Sequence, residues 1–164
     1  MIKKITLQSF ASSKKAGIQI KPFSNLKRTE LFQLLQLRQE VFVVEQNCPY
    51  LDADRYDPSC IHAMLWIDDK LIGCARIVPP GIKGVVPSIG RVVVNKKFRG
   101  FGLGEKLMKK CINHTLLTFN PTSIVISAQA HLLSFYSNLN FIAEGKGYLE
   151  DGIPHVRMRL RTKK

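Results

Sequence analysis

Arg99-Gly100-Phe101-Gly102-Leu103-Gly104 decides how this chain reads. It follows the apolar run Ile89-Gly90-Arg91-Val92-Val93-Val94 and opens a helical pattern from Leu103 to Phe119. A buried strand therefore delivers the chain to a glycine-rich turn, and the turn feeds a helix N-terminus. The first N–H groups of a helix lack intrahelical partners and lie at the positive end of its dipole. Such an end seats an anion, most naturally a phosphate. Glycines let the backbone approach a ligand without Cβ interference, and Arg99 adds a fixed positive charge. Two better-known phosphate motifs do not fit. The spacing is G-x-G-x-G rather than G-x-G-x-x-G, Ser123 to Ala128 supplies no ribose-binding acid, and a P-loop is excluded by the missing Gly-Lys-Ser/Thr.

Outward from this turn, the elements alternate. Ile18 to Phe23 reads as a strand and Glu30 to Val44 as an amphipathic helix, with Leu31, Leu34, Leu35, Val41 and Phe42 on one face. Gln46 to Ser59 is a loop rich in Pro and Asp, with room for one helical turn. Ile61 to Ile67 and Leu71 to Val78 form a hairpin around Asp68-Asp69-Lys70. Pro79 to Pro87 is a loop, and Ser88 to Val94 is a strand buried on both faces. After the helix, which Asn120-Pro121 stops, come the strand Ser123 to Ala128, the helix Ala130 to Leu139 and a closing hairpin, Phe141 to Leu149 with Pro154 to Leu160. The central β-α-β requires a parallel pair, whereas the hairpins are antiparallel. The expected fold is α/β: a mixed, mostly antiparallel sheet flanked by helices.

The chain has 164 residues, 45% of them hydrophobic, which suits one core. We divide it into a basic arm or extra strand over residues 1–17 and a single domain over 18–164. No run approaches the roughly 20 apolar residues of a bilayer span. Cys48, Cys60, Cys74 and Cys111 form no C-x-x-C pair, so no metal site is expected and a reducing cytoplasm is the simplest setting. The net charge is +13, and no acid precedes Glu30. A solvated tail or edge strand, an organelle-targeting segment and a nucleic-acid arm each fit that leading segment. No aromatic-basic interleaving supports nucleic acid as the main partner.

The segment Val92-Val93-Val94-x-x-x-x-Arg99-Gly100-x-Gly102-x-Gly104 resembles the acyl-CoA-binding motif of the GNAT N-acetyltransferases. Gln129 to Phe141, with Phe135-Tyr136 and Asn140-Phe141, resembles that family's second motif, although Asn140 replaces the usual Gly. Leu34 to Arg38, Val41 to Tyr50, Ala128 to His131 and Glu150 to His155 resemble the ElaA-like branch. The resemblance covers roughly Ile18 to Leu160. It implies a splayed parallel β-α-β site for acetyl-CoA, with a bulge near Val92 to Val94. Arg99, Gly100, Phe101, Gly102, Leu103 and Gly104 would hold the pyrophosphate, while Val92, Val93, Val94 and Gln129 would line the pantetheine arm.

It further implies an acyltransferase that moves an acetyl group to an amine by direct transfer in a ternary complex. Tyr136 is the candidate general acid for the departing thiolate. Glu45 and His131 are candidate bases, with His155 an alternative. Cys48 is the only candidate acyl carrier. Arg38 and Arg76, inside apolar patterns, are expected to pair with acids such as Glu45 or Asp54. The acceptor is expected to be an amine on a small molecule or peptide, in a pocket shaped by Asp52 to Ser59 and Pro79 to Pro87. No membrane partner is expected, and a homodimer is one possible assembly. Acyl-homoserine-lactone-type synthesis and a basic nucleic-acid-binding module are the alternative functions.

Overall fold

The structure is a computed structural model and describes residues 17–162. The basic arm, apart from Gly17, lies outside the described residues. Among the described residues, seven strands form one sheet: β1 (Gly17–Pro22), β2 (Ile61–Ile67), β3 (Lys70–Val78), β4 (Ser88–Val94), β5 (Ser123–Gln129), β6 (Ile142–Glu150) and β7 (Ile153–Arg161). Their spatial order is β1-β2-β3-β4-β5-β7-β6, and only β4 and β5 run parallel. This is the expected mixed sheet.

The helices are α1 (Arg28–Arg38), α2 (Leu103–Phe119) and the short α3 (Leu133–Ser137). One face of the sheet buries Ile72, Ile77, Ile124, Ile126 and Met158 against Leu107, Met108 and Cys111 of α2 and Tyr136 of α3. The other packs Met64, Leu71, Cys74 and Val93 against Leu34, Leu37 and Val41. All four cysteines are free and buried. No helix among the described residues is long and apolar enough to cross a membrane.

Two departures matter for the site. The α-helix expected to run to Val44 ends at Arg38 and continues as a π-helical stretch, Gln39–Glu45. Its wider turn is closed by Gln46 N–H to Val41 O and Cys48 N–H to Val43 O, both 3.1 Å. Periodicity at 3.6 residues carries no signal for such a change. The helical phase shifts, so Val41 stays buried while Glu45 and Gln46 reach the cleft described below.

The second departure concerns the Asp-rich loop, whose acids turn inward onto arginines; none of residues 52–59 lines the cleft described below. Arg38 donates to Asp52 (2.6 Å) and Asp57 (2.7 Å), not to Glu45. Arg76 donates to Asp54 (2.7 Å), as anticipated, and also to Asp57 (2.8 Å). Arg91 reaches Asp52 at 2.7 Å. Arg38 is 1% exposed and Arg76 2%. Desolvation of these charges is costly and is offset only because each carboxylate meets a guanidinium; removing one partner strands the other at a cost of about 3–5 kcal/mol.

The network makes stability depend on pH. Burial alone raises the Asp57 carboxyl, but the Arg38 and Arg76 guanidiniums override it and hold it well below the usual carboxylate range. Asp54 is depressed in the same way, chiefly by Arg76. Burial also depresses the His62 imidazole, whose Nε2 lies 3.0 Å from Asp57 O. All three folded groups bind protons less readily than their unfolded counterparts, so stability rises with pH. We expect the urea midpoint to fall below about pH 6.5, as unfolded His62 protonates, and more steeply below about pH 4. Asp57→Asn is expected to lower the midpoint at neutral pH and to flatten the acid limb. A wild-type midpoint constant from pH 7 to pH 3 contradicts this.

Candidate active site

The parallel pair that should close the sheet barely forms. Strands β4 and β5 share one register pair, Ser88 with Val125. Beyond it they separate. The cause is visible on the other edge of β4. Cys74 pairs with Val93 and Arg76 with Gly90, so Arg91 and Val92 stand opposite Ala75 alone. This is a bulge, with Arg91 at φ 51°. A non-glycine residue in that region is uncommon, and the ion pairs of Arg91 with Asp52 and Asp54 hold it there. The bulge bends β4 away from β5.

The splay opens a cleft of about 1000 Å³, the upper end of the range for ligand sites. Gly90 to Val94 line one wall, and Ile126, Ser127 and Gln129 the other. The glycine turn lies at one end. Gly100 has φ 84° and Gly102 φ 70°, and a Cβ built on either meets nothing within 4 Å. The backbone there faces open space, and the left-handed conformation excludes most side chains. Gly102 is also the N-cap of α2, so the cap position itself offers no side chain to the first-turn N–H groups. Gly104 differs: a Cβ there would touch Phe135 and Val94 at 3.7 and 3.8 Å, so its role is close packing of helix on strand.

Arg99 stands beside this turn. Its Nε donates to Val94 O (2.8 Å), and its Nη1 and Nη2 grip both carboxylate oxygens of Glu45 (2.6 and 3.1 Å). The next residue, Gln46, exchanges amide hydrogen bonds with Gln129 (3.1 and 3.4 Å). The end of the π-helical stretch thus touches both arms of the splay.

Tyr136 is buried on α3 and lines the cleft. It packs edge-on against Phe135 (4.9 Å) and Phe141 (6.2 Å). Burial pushes its phenol up to about 12. His131, exposed in the 3-10 turn after β5, also lines the cleft, as do Cys48, Tyr50 and Lys83. Cys48 places its thiol 3.4 Å from Asp151 O. All of the sequence-derived site residues except Phe101 line this one cleft; Phe101 packs against the main core cluster.

One wall of the cleft holds a group of which the sequence reading singles out only His155 as a candidate base. Ser127, Tyr148, Glu150 and His155 meet on the far wall. Ser127 Oγ donates to Glu150 Oε2 (2.7 Å) and lies 2.5 Å from Tyr148 OH, and the Tyr148 ring stacks on His155 (6.1 Å, 24°). The usable signal was alternation along β5, which sends Ser127 and Gln129 to the face opposite Ile126 and Ala128.

Residues 42–162 match the model of the acetyltransferase (GNAT) domain. A UPF0039 protein of Synechocystis is 40% identical over 141 residues, covering 85% of this chain and 92% of that protein. Protein ElaA of Escherichia coli is 41% identical over 137 residues, covering 82% and 90%. A crystal structure of an acyl-CoA N-acyltransferase from Pseudomonas aeruginosa superposes with a TM-score of 0.83 at 40% identity, covering 88% of this chain and 99% of that one.

Proposed function

The chain belongs to the GNAT acetyltransferase family, and we propose that it moves an acetyl group from acetyl-CoA to an amine of a small molecule or peptide, directly, within a ternary complex. The observation that carries this reading is the splay between β4 and β5, which runs into an uncapped, glycine-lined helix N-terminus. The residues fit an acyl-CoA. The open-faced backbone from Gly100 to Gly104, with Arg99 beside it, suits a diphosphate. The β4 edge from Val92 to Val94, together with Gln129, suits the amides of a pantetheine arm. The bulged backbone at Arg91 and Val92 lines the gap without a β5 register partner, so its polar groups are available to polarise a thioester carbonyl. Bound there, acyl-CoA supplies an activated acyl group. The chain's positive charge assists capture of a polyanionic carrier.

Tyr136 would serve as the general acid. A phenol near 12 stays protonated at neutral pH and can donate to a departing sulfur. Of the two candidate bases, Glu45 has both oxygens held by Arg99, while His131 is exposed and no side-chain hydrogen bond among the described residues fixes its tautomer.

The test is a free-thiol assay with acetyl-CoA against polyamines, amino acids, aminoglycosides and peptides, with products identified by mass spectrometry. Amine-dependent thiol release with acetylated product is expected. A product formed only with S-adenosylmethionine present would support the lactone-forming alternative instead.

A further inference from the structure

We infer that His155 is the general base of this site, taking the acceptor amine's proton at Nε2 on the face of the sheet opposite Tyr136. The inference rests on the acetyl-transfer reading above. It begins with alternation along the strands. On β5, Ile124, Ile126 and Ala128 join the core beneath α2 and α3, where Tyr136 sits. Ser127 and Gln129 point the other way, and Gln129 meets Gln46 there. His155 is the register partner of both Gln129 and Tyr148, so it shares their face. Acid and candidate base therefore flank the gap from opposite sides, and both line the cleft. A thioester threaded through the gap would offer its sulfur to one and its carbonyl carbon to an amine beside the other.

The imidazole is prepared for this. Its Nδ1 lies 2.8 Å from Ile153 O. A carbonyl only accepts, so Nδ1 carries the hydrogen and Nε2 keeps its lone pair. The ring is half-buried and stacked on Tyr148. Ser127 Oγ gives its proton to Glu150, so Tyr148 O–H donates to Ser127, and that relay holds the Tyr148 ring in place. Among the described residues, the titratable and charged groups on the strands paired around His155 are Tyr148 and Glu150 on β6, Arg157 on β7 and Asp151 in the intervening turn, with Cys48 set against Asp151 O; β5 contributes the neutral Ser127 and Gln129. Glu150 puts a negative charge on this wall, which favours an ammonium-bearing acceptor.

The step balances. As the amine lone pair forms the C–N bond, His155 Nε2 takes a proton from nitrogen. As the C–S bond breaks, the sulfur leaves with the electron pair and takes the Tyr136 proton. The imidazolium then loses its proton to solvent, and the phenolate recovers one.

Two measurements on the full chain test this. Two-bond 1H–15N correlation spectra of histidine-labelled protein should show His155 as the Nδ1–H tautomer; an Nε2–H tautomer overturns the inference. In the second, transfer from acetyl-CoA to the best amine of the panel is followed against pH. His155→Gln should lower kcat/KM by about 100-fold or more, abolish the acid limb and leave the calorimetric Kd for CoA within twofold. Added imidazole should restore part of the rate to His155→Ala. Activity of His155→Gln within threefold of wild type, or a loss that keeps the acid limb, overturns the inference. Either result alongside normal CoA binding and wild-type transfer leaves the proposed function standing.

Discussion

Tyr136→Phe is expected to lower kcat by roughly 100-fold or more while leaving the Kd for CoA within twofold. The substitution removes only the hydroxyl. The ring keeps its edge-on contacts with Phe135 and Phe141, so the fold and the cleft wall persist. What disappears is a proton donor whose position α3 fixes and whose burial keeps it neutral. Because that proton is held to about 12, the wild-type rate should show no basic limb from this group below about pH 11. Stopped-flow thiol release with acetyl-CoA measures the rate, and calorimetry measures the affinity. A variant with wild-type turnover removes Tyr136 from the acid role.

Gly102→Val is expected to weaken CoA binding by about 100-fold. Two effects act together. At φ 70° a β-branched residue is forced into the left-handed region, at roughly 1–2 kcal/mol. In addition, its side chain would fill the open space over the turn, where nothing lies within 4 Å of a Cβ. Loss of even one hydrogen bond to a charged phosphate removes about 1.5–3 kcal/mol, or about 10- to 100-fold. The fold should survive, since no core atom opposes the new side chain; circular dichroism and a urea titration check that. CoA affinity within threefold of wild type would mean that the turn does not hold the carrier.

The element order, the parallel β-α-β and the glycine turn were legible because each leaves a local trace: period two, period 3.6, or glycines where a turn needs them. The splay was available only through family resemblance. Its structural cause, the bulge at Arg91 and Val92, rests on a positive φ at an arginine, which no sequence rule would place there. That Arg38 pairs with acids is legible in the sequence, but which acids it meets is not, for a similar reason. Glu45 is nearer in sequence, but the π-helical turn carries it toward Arg99, and the Asp52 to Asp57 loop folds back over the guanidinium instead. The wall of Ser127, Tyr148, Glu150 and His155 assembles from three strands. His155 stands out in the sequence as a titrating group, but Ser127, Tyr148 and Glu150 do not, and the register β5-β7-β6 is what brings the four together.

The central claim is that the backbone of the turn after β4 grips the diphosphate of an acyl carrier. Isothermal titration of the full chain with CoA, beside the same titration of Gly102→Val, tests it most directly. The account predicts one CoA per chain for wild type, an affinity that weakens as salt is raised, and a loss of about 100-fold in the variant. No measurable binding to the folded wild-type chain, or equal affinity in both proteins, would contradict it.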